Sequence, residues 1–589
     1  MVTLATLRPL TKKLKKIIKR AKFDYKKKLE DNFNKNNSKQ TWDSMKQIVG
    51  MNKKSDSLNL TENATEYSNK LNQFYNRFDT HDFKEKSKEV LTNIMHATED
   101  HENIFIKEFE VKTVFQKINP RKASGPDNVK GKVLKSCLNE LSFIFTYIFN
   151  LSLKLHRVPI GWKTAEIIPV PKKPKVSTLN DLRPVALTPI AMKCFEKIIF
   201  KHISSCLSPL QDPCQFAYRA KRSVDDAILI FFNNIYKHID IPKQYCRVLF
   251  VDFSSAFNTI QPHVLLPKLH DLKVNRNIIA WILDFLSERE QFVKLANVIQ
   301  ASPSLDQVKK RTHLESSTAF SDKIISNTGA PQGCVLSPIL FTIYTNDCRS
   351  TDKDNVSLLK FADDSTIQGF IVDDDESIYK KTIDYFVQWC DEHFLLLNVK
   401  KTKEIIFDFR RDSPTHTPLC IKNENVDIVD SYKYLGITIS KDLSFSPHIA
   451  NTCSKLNQRL YFLRKLKSFN VDNSLLKLFY SSIIQSVFTF CIVCFGGNIT
   501  DKDKTKIERV IKRATKISSF SFDCFDVLYK NLCTKKISSI LLDKSHPLFP
   551  HIIISERTGR LISLSCNRER YLNSFLPSAV RFLQEKYVR

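Results

Sequence analysis

Two short apolar arms, Leu358–Phe361 and Ser365–Ile367, flank a pair of adjacent acids, Asp363 and Asp364. That pattern predicts a β-hairpin with the acids at its turn. Well upstream, the apolar run Val248–Val251 ends in Asp252 and reads as a buried strand. Between them lies Thr328–Cys334, a Gly/Pro loop ahead of the apolar stretch Val335–Tyr344. A single Asp after a strand is ordinarily a turn or cap residue, and adjacent acids recur at 225–226 and 373–375. The information lies in the order of the three segments and in their strand contexts.

Carboxylates on neighbouring strands suit one kind of chemistry. In nucleotidyl transfer, two Mg²⁺ ions roughly 3.5–4 Å apart stabilise the attacking and leaving oxygens. Mg²⁺ is hard, prefers carboxylate oxygen and keeps places for water and phosphate. Asp252 from one strand and Asp363 from a hairpin beside it would serve such a pair.

Charge points the same way. The 589 residues carry 91 Lys+Arg against 62 Asp+Glu, a net charge of +29, which favours a polyanionic partner such as nucleic acid. With 42% hydrophobic residues the chain has the means to fold. An odd count of 15 Cys in so long a chain indicates a reducing, intracellular setting rather than a disulfide framework. No signal peptide is expected, because no apolar core follows the basic start. No membrane partner is expected either: Ile483–Gly496 is short for a span and carries Gln485, Ser486 and Thr489. Residues 1–40 hold 13 Lys/Arg and 3 Asp/Glu, in keeping with a nuclear-import patch, a nucleic-acid-binding helix or a solvated face. Residues 51–100 are polar and say little.

Ile278, Trp281, Ile282, Phe285 and Leu286 have the spacing of an amphipathic helix. Residues 302–326 break the pattern and read as a surface insertion. From about Pro447 to Ile517 the chain reads as helical. Cys491 and Cys494 form a C-x-x-C without a second close pair, so buried thiols are expected there rather than zinc.

Many further segments fall in a familiar order. Phe250–Ile260 (FVDFSSAFNTI), Thr328–Pro338 (TGAPQGCVLSP), Phe361–Asp364 (FADD), Leu397–Lys403 (LNVKKTK) and Tyr434-Leu435-Gly436 resemble polymerase motifs A to E. Lys122–Asp127, Ile167–Lys173 and Leu182–Leu187 resemble finger motifs, and Gln215–Ser223 resembles a QxGFR segment with Ala217 in place of its Gly. From about Lys107 to Thr500 the chain resembles the reverse transcriptases of non-LTR (LINE-type) retrotransposons of the Jockey and CR1 groups.

The resemblance implies an α+β right hand with fingers, palm and thumb, a helical basic N-terminal extension (1–103) and a helical C-terminal region. The reverse transcriptase domain would span 104–440 with a core from about 154, the thumb 441–520 and the C-terminal region 521–589. It implies an RNA-directed DNA polymerase that extends a DNA primer on an RNA template with dNTPs and holds the RNA–DNA hybrid. Two Mg²⁺ ions, or Mn²⁺ in their place, would sit on Asp252, Asp363 and Asp364, with Phe253 lending a backbone carbonyl. Lys172 and Arg183 would meet the triphosphate, and Gln332 and Gly333 would line the nucleotide and template. Phe257 would exclude a ribose 2′-hydroxyl, and Lys401 would protonate pyrophosphate. Tyr434, Leu435 and Gly436 would grip the primer. Arg459, Arg464, Lys465 and Lys467 of the thumb would contact phosphates. Localisation to the nucleus, with cytoplasmic ribonucleoprotein assembly, is expected. The family's apurinic-type endonuclease has no room before residue 105, so polymerisation without target nicking is expected. The competing reading is a catalytically silent nucleic-acid-binding transposon relic.

Overall fold

The computed structural model describes all residues except 1–3, 36–37, 51–58, 61–62, 97–103, 208–209, 301–316, 558 and 588–589. Its centre is the strand Tyr245–Val251, every residue of which is buried. Cys246, Val248 and Phe250 face one apolar core; Tyr245, Leu249 and Val251 face another. A strand covered on both faces requires a near-continuous apolar run, which this one has apart from Arg247. It pairs antiparallel with Asp364–Ile371 on one side and with Lys403–Phe407 on the other. Val356–Phe361 and Asp427–Ile428 complete a five-stranded palm sheet.

Arg247 is the exception that fixes the sheet. Its side chain is fully buried and pairs bidentately with Glu404 on the neighbouring strand, at 2.9 and 2.8 Å. Glu376 and the Thr417 carbonyl accept two more of its donors at 2.7 and 2.9 Å. The Tyr379 hydroxyl donates to Glu404 at 3.0 Å, so the carboxylate is held from two sides.

The fingers form a second sheet in which Arg289–Gln300 pairs parallel with Ala165–Pro171, which in turn pairs antiparallel with Leu182–Leu187. The expected surface insertion at 302–326 is corrected over its second half. Ser317–Phe320 and Ile324–Ser326 are strands, both paired with Arg289–Gln300. Residues 302–316 lie outside the described residues. The polar text hid these strands because Ile324, Ile325 and Ser326 lie at the sheet's edge and need little apolar sequence.

Helices fill the remaining space. In Arg276–Leu286 all five residues of the expected apolar stripe are buried, and Asn275 caps its N-terminus. In Asp501–Ser518, Ile507, Val510, Ile511 and Ala514 are buried against the long helix Ser446–Ser468. The N-terminal helices are not free of the body. Leu29, Met45, Ile48 and Val49 join the core shared with that long helix, and Ala64–Asn76 packs on the fingers strand Arg289–Gln300. The C-terminal region docks on the palm through Asp240, which accepts from the backbone amides of Asn567 and Arg568, both at 2.8 Å.

Among the described residues, Asn473–Asn498 has the length and mean hydropathy (1.9) of a membrane-crossing helix. Here it is a folded core element. A π segment at Tyr480–Gln485 and a turn before Ile492, where Cys491 has φ 53°, break it. Phe479, Ile484, Phe488 and Phe495 are buried in one core with the helix Val224–Ile239. Cys491 and Cys494 are both buried thiols in that core.

Glu404→Ala would leave buried Arg247 with Glu376 alone as its acid. Removing one partner of a buried pair costs about 3–5 kcal/mol. The urea midpoint followed by tryptophan fluorescence should fall accordingly, and an unchanged midpoint would show that the pair does not hold the sheet.

Candidate active site

The central strand delivers Asp252 just past its last residue, where the strand's neighbours still hold the backbone. The Asp252 carbonyl accepts from Asn398 N–H at 2.8 Å, and its own amide donates to Thr402 Oγ1 at 3.2 Å. Beside it the hairpin turns in two residues, since Phe361 pairs with Asp364. Ala362 and Asp363 therefore form the turn, and Asp364 opens the second strand, a shift of one position from the sequence expectation. Ala362 takes the left-handed φ of 56° that such tight hairpins ask for.

That turn is braced from a segment whose role the sequence did not reveal. Buried Gln215 accepts from the amides of Ala362 (3.1 Å) and Ala217 (3.0 Å). Backbone bonds between residues 214–216 and Lys360 make one parallel bridge to the hairpin. The Lys360 ammonium, itself buried, pairs with Asp212 at 2.7 Å and ties the two segments.

The three acids feel one another. Withdrawal from water, followed by the Asp363 and Asp252 charges, pushes Asp364 up to about 6. Asp363 is raised by burial alone, against the pull of Arg183. Asp252 is raised by burial and by Asp363, while Lys401 and Lys172 pull it down. Asp363 and Asp364 are exposed, at the open end of the sheet. Asp252 Oδ2 is buried with no hydrogen-bond partner, and Lys401 Nζ stands 3.8 Å from it. An orphaned carboxylate oxygen beside two like charges is the environment that a divalent cation relieves. The three acids therefore fit a metal, although among the described residues no group of three His, Cys, Asp or Glu forms a preformed cage. An open arrangement suits Mg²⁺, which retains water and substrate oxygens as ligands.

The fingers bring cations to this site. Lys172 loses basicity through burial and through the nearby charges of Lys401 and Arg183. Arg183 lies exposed on the strand Leu182–Leu187. The loop Thr328–Gly333 joins this strand to the palm. Ala186 N–H donates to the Gln332 carbonyl at 2.7 Å, and Gln332 Nε2 to Asn258 Oδ1 at 3.3 Å. Both glycines are demanded by contact. Gly329 (φ 78°) would drive a Cβ to 2.7 Å from Asn258 Cα, and Gly333 (φ 129°) to 2.6 Å from the Ala186 carbonyl oxygen.

Phe257 sits in a 3₁₀ turn, Ala256–Asn258, half-buried, with its ring 4.9 Å from that of Phe341. Its carbonyl accepts from Ala330 N–H at 2.8 Å, so this turn and the Gly/Pro loop move together. Phe253 bridges to Leu397. Tyr434, Leu435 and Gly436 shape a hairpin between Ser431–Tyr434 and Ile437–Ser440, with Leu435 (φ 44°) and Gly436 (φ 97°) as its turn. Here the expected grip needs correction at one residue. The Tyr434 side chain is buried against Phe231 and Phe250, so it has no surface to offer a primer. Two thumb cations also have partners within the protein. Arg459 donates to the Ile483 carbonyl and Lys465 to the Val49 carbonyl, both within the chain.

Residues 170–439 match the family described as reverse transcriptase (RNA-dependent DNA polymerase), and this segment is a reverse transcriptase domain. The curated relatives it resembles are proteins of Drosophila transposable elements. The "Probable RNA-directed DNA polymerase from transposon BS" of Drosophila melanogaster is 25% identical over 376 residues, covering 61% of this chain and 39% of that protein. The RNA-directed DNA polymerase from mobile element jockey, also of Drosophila melanogaster, is 26% identical over 357 residues, covering 58% and 36%. The chain thus spans well under half the length of either relative. Residues 447–486 also match "Alkylated DNA repair protein alkB homolog 8, N-terminal". Among solved structures, apo telomerase from Candida tropicalis aligns over 73% of this chain and 90% of its own at 12% identity, with a TM-score of 0.33, too low to argue from.

Because burial and like charges raise Asp364, the folded chain without metal binds a proton more readily than the unfolded one. Stability should therefore fall as pH rises from about 4 through about 6. Asp364→Asn should melt above wild type at pH 7.5 in chelator, by on the order of 1–3 °C, and level with it near pH 4. Differential scanning calorimetry at the two pH values checks both halves.

Proposed function

We propose that the chain extends the 3′-end of a DNA primer on an RNA template, using dNTPs. The observation that carries this reading is the gathering of Asp252, Asp363 and Asp364 from two strands into one field, ringed by Lys172, Arg183 and Lys401. Burial raises all three acids, the Asp363 charge raises its two neighbours further, and cations drawn to the same place suit metal-bound polyphosphate.

Asp252 and Asp363, with Asp364 beside them, would hold two Mg²⁺ ions, Mn²⁺ serving in their place. Bound there, the ions would stabilise the attacking and leaving oxygens of nucleotidyl transfer. Phe253 would add its carbonyl. Arg183 and Lys172 bind the triphosphate, where the planar guanidinium offers paired donors. Lys401, beside Asp252, hands a proton to the departing pyrophosphate. Gln332 and Gly333 line the pocket of the templated base, and Phe257 stands where a ribose 2′-hydroxyl would come. The turn at Leu435 and Gly436 supports the primer through its backbone, with Tyr434 as the buried root of that turn.

Primer extension on a poly(A)-tailed RNA with purified protein tests the reading. Asp363→Asn should leave the melting temperature near wild type and lower dNTP incorporation by orders of magnitude. Wild-type incorporation by a well-folded Asp363→Asn chain would refute the assignment, and an inert wild type would favour the silent relic.

Phe257 offers a second test. An apolar pocket alone rejects an added hydroxyl by only about 10²-fold. A ring that shifts the α-phosphate out of line does more, because small misplacement is costly. Phe257→Val should admit rNTPs while retaining dNTP use. If the ring serves only to pack against Phe341, truncation should cost stability, about 3–5 kcal/mol for Phe257→Ala, with sugar choice unchanged.

A further inference from the structure

The Thr328–Gly333 loop receives support from a residue far away in sequence. Asp79 follows the helix Ala64–Asn76, in a stretch whose sequence says little. Its Oδ1 accepts from Thr328 Oγ1 at 2.8 Å, and its Oδ2 accepts from Asn327 N–H at 3.1 Å. One carboxylate thus holds both residues at the loop's entrance.

Arg289 holds the same entrance from within. Its side chain is buried, and burial pulls the guanidinium down to about 10. It donates to the carbonyls of Thr328 (2.6 Å), Gly329 (2.9 Å) and Leu286 (3.0 Å). No carboxylate pairs with it directly among the described residues; the Asp79 charge acts on it across the loop. A buried cation and a half-buried anion therefore bracket Thr328.

The carrier of Asp79 is itself fixed. Asn72 is buried and donates to Ser321 Oγ (3.1 Å) and to the Asp322 carbonyl (2.9 Å), while accepting from Gln291 Nε2 at 3.0 Å. Asn76 donates to the Ile325 carbonyl at 3.2 Å. Ile325 lies on the strand that runs into the loop, Ser321 and Asp322 in the turn before that strand, and Gln291 on the strand paired with it. Arg77 in the same turn packs between the rings of Phe74 and Phe78, and its charge reaches Lys172 at the site.

We propose that Asp79 is a positioning residue for the nucleotide pocket, holding the Thr328–Gly333 loop against Arg289 so that Gln332 and Gly333 face the incoming nucleotide. The reach to the pocket is short and bonded throughout. Gly329 N–H donates to the Ile260 carbonyl at 2.7 Å and Ala330 N–H to that of Phe257, so a loop released at Thr328 loosens the Phe257 turn as well. The helix Ala64–Asn76 then belongs to the polymerising body. This inference rests on the polymerase reading for its kinetic consequence, but not for the clamp itself.

The full chain, wild type and carrying Asp79→Ala, Asp79→Asn, Thr328→Val or Asp79→Ala with Thr328→Val, provides the test. Hydrogen exchange comes first. In Asp79→Ala the amides from Asn327 to Gly333 should exchange about tenfold faster or more, with the palm strands unchanged. Asp79→Asn keeps an acceptor for the Asn327 amide and should restore part of the protection. In primer extension, Asp79→Ala should raise the dNTP KM about tenfold with kcat within about threefold. The double variant should be no worse than Asp79→Ala, because both changes remove one interaction. Unchanged exchange in Asn327–Gly333 would overturn the clamp. Faster exchange with an unchanged KM, or additive effects in the double variant, would overturn its role in the pocket. An inert wild-type chain whose loop still loosens on Asp79→Ala would count against the polymerase reading and leave the clamp standing.

Discussion

The pairing of Arg247 with Glu404 governs this molecule because it locks the register of the central strand against its neighbour. In a strand, a slip of one residue turns every side chain to the other face. Here both faces are apolar, so hydrophobicity alone would tolerate the slip. A buried guanidinium would not, since it would lose a bidentate partner in a place without water. With the register fixed, Asp252 must emerge at the same end of the sheet as the hairpin acids. A buried ion pair adds little net stability against apolar residues of equal size, but it is costly to misplace, and that asymmetry serves specificity.

The glycines of the Thr328–Gly333 loop set a second constraint. Gly333 lies against the Ala186 carbonyl and Gly329 against Asn258. Fingers and palm therefore touch backbone to backbone, and the cations of one sheet come within reach of the acids of the other. Arg183 sits three residues before Ala186 on the same strand, so the closeness of that contact also sets where its charge falls.

Much of this was legible in the residues. The acids, their strands and the hairpin follow from short-range apolar patterning, and the stripe of Arg276–Leu286 from helical spacing. What escaped depends on partners distant in sequence. Ser317–Ser326 looked like an insertion because edge strands borrow their order from the strand they join. Tyr434 looked available for a primer because a hairpin's sequence does not say which face lies on a core. The inward bonds of Arg459 and Lys465 escaped because a Lys or Arg capping its own chain's carbonyls reads the same as a free one. Gln215 stood in a segment already likened to a motif, yet its hold on the Ala362 amide depends on the short pairing with Lys360. Asp79 gave no signal, since one Asp in a polar stretch has none.

The bond between Asp79 and Thr328 spans 249 residues of chain. Synthesis proceeds from the N-terminus at roughly 5–20 residues per second. The strand before Asp252 does not gain its second neighbour until Phe407 has been made. The basic helix Leu4–Asn34 thus leaves the ribosome tens of seconds before the site is complete, at the slower of those rates. For that interval Asp79 waits without the loop it holds, since Thr328 follows it by 249 residues.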